Sequence, residues 1–154
     1  MNVVSRLMIV FVALTVSIHA QSSGSPQKDP KIGKWKLRVA EPASGTREYE
    51  DRGCGVTLST RQGVNADGRR YFSQYAVQFD GKDYPRVVRG SDVANTIAVR
   101  WVDASTMAFT LKEDGKVTSE GTTSVSQDGK VLTVTTRRAG SSGPGGVEIY
   151  DRVQ

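Results

Sequence analysis

The chain is short of the reagents that most enzymes use. Its 154 residues hold one cysteine, Cys54, and one histidine, His19. A lone cysteine excludes an internal disulfide and every cysteine-cluster metal site. His19 lies within the first twenty residues, and if that segment is removed on export, His-dependent triads and His-ligated metals are excluded as well. No cofactor and no metal are expected, and an enzymatic reading would rest on Tyr, Asp or Glu. Apolar residues are also sparse. About a quarter of the hydrophobic residues that make up 37% of the chain lie before residue 21, which leaves the rest lean. No window repeats apolar residues at i, i+3, i+4 and i+7 for more than a turn, so helices are not expected. The length allows one ordinary domain.

What is present begins with Arg6, followed by an apolar stretch from Leu7 to Ile18 that only Thr15 and Ser17 interrupt. His19 and the small Ala20 end it. This is the pattern of a signal peptide over residues 1–20. About a dozen residues is short for a membrane-spanning helix, which needs ~20. Export to a periplasmic or extracellular location is expected, with no transmembrane segment after removal. Residues 21–30, QSSGSPQKDP, carry no apolar side chain other than proline and read as a flexible linker. The folded domain is expected over 31–154. The formal charge of +5 includes Arg6, and the remaining basic residues are scattered. A nucleic-acid binder would show a basic stripe interleaved with aromatics, so no such partner is expected.

Asp-Gly followed by a basic residue occurs four times, at Asp67-Gly68-Arg69, Asp80-Gly81-Lys82, Asp114-Gly115-Lys116 and Asp128-Gly129-Lys130. Each is a hairpin signal, and a two-residue type I′ turn is expected at each. Between them residues alternate with period two, as in Met107, Phe109 and Leu111, or Ile97, Val99 and Trp101, which marks strands with one buried face. Strands are expected near 34–39, 46–51, 55–64, 69–79, 83–89, 95–102, 106–113, 116–126, 130–138 and 146–152. Pro85, residues 89–92 and residues 141–146 read as loops or strand breaks. The fold class is all-β. An antiparallel up-and-down β-barrel of about eight to ten strands removes the edges that an open sheet would expose.

Gly33-Lys34-Trp35 on the first strand, with Tyr150-Asp151-Arg152 on the last, resembles the lipocalin signature. YAVQFDGKDYP at 75–85 and TLKEDGKV at 110–117 are similar to small exported bacterial proteins described as lipocalin-like domains of unknown function. The resemblance covers roughly residues 31–152. It lacks the second Thr-Asp-Tyr-type motif and the cysteine pair of true lipocalins. It implies that Gly33, Trp35 and Arg152 close the barrel, with the guanidinium on the indole at the floor. It also implies that a small apolar or amphipathic molecule is held non-covalently inside.

Under that reading Tyr75, Phe79, Trp101, Met107 and Phe109 face inward as ligand-binding residues. Arg137, sharing parity with Thr133 and Thr135, is the candidate partner for a ligand carboxylate. The alternative is an envelope or extracellular interaction module with a solid core, whose loops at 86–95 and 139–146 contact another macromolecule. A third reading, an enzyme, requires an acid within hydrogen-bond reach of a tyrosine or another acid in a concave site. Glu48 and Glu50 share a strand face and read as a wet surface. Asp80 and Asp83 are explained by turn chemistry. Cys54, between two glycines, reads as an unactivated thiol in a turn.

Overall fold

The computed structural model describes residues 29–39, 43–143 and 145–154. Residues 1–20, read from sequence as a signal peptide, and residues 21–28 of the expected linker lie outside the described residues. Ten strands follow one another along the chain: β1 (Gly33–Leu37), β2 (Ser44–Asp51), β3 (Thr57–Val64), β4 (Arg70–Val77), β5 (Asp80–Val88), β6 (Asn95–Trp101), β7 (Thr106–Glu113), β8 (Lys116–Val125), β9 (Val131–Arg138) and β10 (Gly146–Arg152). Each pairs antiparallel with its sequence neighbours, and β1 pairs with β10, so the sheet closes into an up-and-down barrel. Closure leaves no strand edge to template aggregation. Lipocalins close with eight strands, whereas this barrel uses ten. There is no helix among the described residues.

The four Asp-Gly turns are not alike. Only Asp114-Gly115, between β7 and β8, has both residues at positive φ, 46° and 76°, as a type I′ turn requires. At the β3–β4 and β8–β9 hairpins the glycine alone is left-handed. Gly68 donates to the Asn65 carbonyl at 2.9 Å and Gly129 to the Ser126 carbonyl at 2.8 Å. These are longer loops built on a type I turn that ends in a left-handed glycine. Asp80-Gly81 opens β5 at a register shift between Asp80 and Asp83. What these three share is the carboxylate: Asp67, Asp80 and Asp128 each accept the backbone N–H two residues on, from Arg69, Lys82 and Lys130. That local bond accounts for aspartate before each glycine.

Pro85 was expected to break a strand, yet it lies inside β5, opposite Thr96 of β6. The consequence falls on the other side. The β4–β5 ladder joins Ser73, Gln74 and Tyr75 to Val88, Val87 and Arg86 and stops where Pro85 would face Ala76. Proline has no N–H to give to that ladder.

Strand direction sets two ends. At one end lie the connections 52–56, 78–79, 102–105 and 126–130, together with the entering segment 29–32 and the exit at 153–154; at the other lie 65–69, 89–94, 114–115 and the β9–β10 connection. The first end is packed solid. Trp35, Tyr49, Val77, Met107, Leu132 and Tyr150 are almost fully buried there. Phe79 and Trp101 pack beneath them with ring centroids 4.8 Å apart.

The floor is held by Arg152, the register partner of Trp35. Its guanidinium lies 4.1 Å from the Trp35 ring, a cation–π stack. Its nitrogens donate to the carbonyls of Gly129, Ile32 and Pro30 at 2.6, 2.9 and 2.6 Å. Trp35 is 0% exposed, and its indole N–H donates to the Lys31 carbonyl at 2.8 Å. Gly33 sits at φ +129°, where an added Cβ would come within 2.8 Å of the Arg152 guanidinium. Asp29 and Pro30, read from sequence as the end of a flexible linker, are thus bonded to the floor. Lys31 is 0% exposed, with its ammonium 3.6 Å from the Trp101 ring and 2.8 Å from Asp29 Oδ1.

Candidate cavity and its arginines

Above this floor the barrel is not filled. A cavity of about 350 Å³ occupies the half nearer the other end. Tyr75, Ile97, Phe109, Leu111 and Val134 form its apolar wall, while Arg47, Arg61, Arg86, Ser73, Thr136 and Glu148 supply polar groups. The strand pattern places them. Arg47 shares inward parity with Tyr49 on β2, Arg61 with Ser59 on β3, and Glu148 with Tyr150 on β10, each partner being buried. Arg47 and Arg61 are direct register partners across β2–β3, and Arg61 in turn faces Ser73 of β4.

The three guanidiniums are only partly engaged. Glu148 takes Arg61 in a close ion pair and lies 3.5 Å from Arg47. Arg47 also donates to the Tyr49 hydroxyl at 3.4 Å. Arg61 stacks 4.3 Å from the Tyr71 ring. That ring is seated over Gly45 and Gly63, because a Cβ at either position would collide with the Tyr71 hydroxyl. Arg86 donates to Asn95 at 3.3 Å. The Nε atoms of Arg47, Arg61 and Arg86 are buried and have no hydrogen-bond partner among the described residues. A buried polar group left unmatched costs free energy, and here three donors go unmatched around one cavity.

Burial would raise the Glu148 carboxyl, but Arg61 and Arg47 outweigh it and hold it below the ordinary range. Burial pulls Arg86 down and pushes the Tyr75 hydroxyl up. Tyr150 donates to Glu148 Oε2 at 2.9 Å, so an acid does lie within reach of a tyrosine in a concave site. Arg61 and Arg47 hold this carboxylate in its charged form. Its role here is to hold Arg47 and Arg61.

Of the residues singled out from sequence, Tyr75 and Phe109 line the cavity. Phe79, Trp101 and Met107 lie in the packed floor, because alternation reports which side of the wall a residue faces and not its height. Arg137 is on the outer surface, 3.8 Å from Glu120. On β9 the inward set is Leu132, Val134 and Thr136, so the parity that Arg137 shares with Thr133 and Thr135 is the outward one. The three inward arginines were missed because charged side chains read as solvated faces. Their parity with Tyr49, Ser59 and Tyr84 was the available signal. Glu48 and Glu50 face outward toward Lys34 and Arg52, and Cys54 is exposed. No group of three or more metal-ligating side chains occurs among the described residues.

No family model and no curated protein matches the chain. Among solved structures it is similar to one described as EF1p2_mFAP2b bound to DFHBI, with a TM-score of 0.48 and 10% identity, covering 83% of this chain and 97% of that one.

Proposed function

We propose that this is an exported, lipocalin-like barrel that holds one small amphipathic molecule non-covalently in its upper cavity. The observation that carries the reading is the two-sided lining: an apolar wall of Ile97, Phe109, Leu111 and Val134 faces three guanidiniums whose Nε donors are free. Pockets of this kind, mostly apolar with a few convergent polar groups, are where small ligands bind. Export rests on the sequence of residues 1–20, and the lipocalin-like build on Gly33, Trp35 and Arg152.

Size limits the guest. At about 350 Å³ the cavity lies at the small end of ligand pockets, which run ~300–1,000 Å³. A long-chain lipid would therefore project from the barrel. The test is thermal unfolding against short alkyl and aryl acids and the alcohols of the same skeleton. A binder at 100 times its Kd adds ~2.7 kcal/mol of stability. If no acid, alcohol or hydrocarbon probe raises the melting temperature, the reading fails.

A second reading is favoured by a groove of about 660 Å³ on the outer wall of β1–β5, where Lys36, Arg70 and Arg89 flank Phe72. None of these three cations forms an ion pair among the described residues. An envelope or extracellular protein partner with an acidic surface would suit it. Charge reversal at Arg70 and Arg89 that left small-molecule binding intact but abolished such an association would support this reading.

A further inference from the structure

Within the cavity, charge does not balance. Arg47, Arg61 and Arg86 bring three positive charges to the lining and Glu148 brings one negative. The next acid, Glu113, is exposed at the end of β7 and acts on Arg86 from outside the lining. The lining therefore has two uncompensated charges, on side chains whose Nε donors are buried and unpartnered. Arg47 is 8% exposed, so water does not readily satisfy it. Buried charges are tolerated when paired and hydrogen-bonded.

The charged groups are also one-sided, Thr136 on β9 adding only a hydroxyl to the far wall. The opposite wall is Ile97, Phe109, Leu111 and Val134, which would leave a second, separated anionic group unpaired. Both negative charges of a matching guest must sit together at one end. Resting on the ligand-binding reading above, we propose that the cavity selects a phosphate monoester of a short apolar body, its dianionic head among Arg47, Arg61 and Arg86 and its body against Phe109 and Ile97. A phosphate presents three acceptor oxygens, and guanidinium donors suit it. A monocarboxylate cancels only one of the two charges, and Glu148 already provides that group to Arg47 and Arg61. Arg86 is the side chain that the internal carboxylate does not reach, so it is the one that distinguishes the two ligand classes.

The experiment is calorimetric titration of the protein at pH 8 with phenyl phosphate, benzoate, phenol and inorganic phosphate, repeated on Arg86→Gln after its fold is checked by circular dichroism. Phenyl phosphate is expected to bind at least about ten times more tightly than benzoate or inorganic phosphate, since a charge-assisted contact is worth a factor of this order. Arg86→Gln is expected to weaken phenyl phosphate by at least about ten-fold and benzoate by less, whereas equal weakening of the two would overturn the role given to Arg86. Benzoate binding as tightly as phenyl phosphate would overturn the dianion proposal and leave the ligand-binding reading standing. Inorganic phosphate matching phenyl phosphate would overturn the role of the apolar wall. Failure of all four probes would overturn both readings. Should Arg86→Gln not fold, the four affinities of the native protein decide the matter alone.

Discussion

Replacing Trp35 by alanine tests the floor of the barrel directly. The ring is fully buried, and an indole covers up to ~250 Å². At ~25 cal/mol per Å² that burial is worth about 6 kcal/mol as an upper bound. The substitution also leaves the Lys31 carbonyl without its 2.8 Å donor, at about 1 kcal/mol, and removes the face on which Arg152 stacks, worth ~1 kcal/mol. Partial collapse returns some of this, so the expected loss is that of large aromatic truncations, ~3–5 kcal/mol. For a domain of this size each 1 kcal/mol shifts the melting temperature by ~2–5 °C, which gives a fall of about 6–25 °C. Thermal and urea unfolding followed by circular dichroism would measure it. Trp35→Phe, which keeps a ring but loses the indole N–H, should lose only ~1–2 kcal/mol. A fall below about 4 °C for Trp35→Ala, or equal losses in the two variants, would show that the ring is not what closes this end.

Further outcomes follow from neighbouring groups. Gly33→Ala should cost ~1–3 kcal/mol, because φ +129° is strained for any side chain and the Cβ meets the Arg152 guanidinium; an unchanged urea midpoint would contradict this. The Glu148 carboxyl is held below its unfolded value by Arg61 and Arg47 against the opposing effect of burial. Its contribution is therefore present above the unfolded pKa and lost as pH falls through the lowered folded one. Glu148→Gln should flatten the acid limb of stability below about pH 5, as urea titrations at stepped pH would report. Lys31 behaves in the opposite sense. Burial lowers its pKa more than Asp29 raises it, so the folded state releases the proton more readily and stability rises with pH up to the unfolded value near ~10.4. Lys31→Met should remove that rise, and an identical alkaline slope in the variant would contradict the assignment.

The strands and their order were legible because alternation and Asp-Gly punctuation are local signals. Met107, Phe109 and Leu111 declare the inner face of β7 without reference to anything distant. The site was less legible, for two physical reasons. Parity carries no height, so Phe79 and Trp101 in the solid floor look the same on the page as Tyr75 and Phe109 beside the cavity. Burial of charge is a tertiary event: parity turns Arg47 and Arg61 inward, but the Glu148 that pairs with both lies far along the chain and reaches them only when β10 closes against β1. The turn types show a similar limit. Asp-Gly announces each reversal, but whether the aspartate itself takes positive φ depends on the number of loop residues that the strand register leaves.

The bonds from Arg152 to the carbonyls of Pro30 and Ile32 have a consequence for orientation. The chain enters the barrel and leaves it at the same closed end, pinned within one guanidinium's reach. A surface, carrier or reporter joined directly ahead of Asp29 or after Gln154 would therefore hold the protein by its base, with the arginine-lined end directed away from the attachment. Immobilisation through either of these points should leave unchanged the binding proposed for the upper cavity.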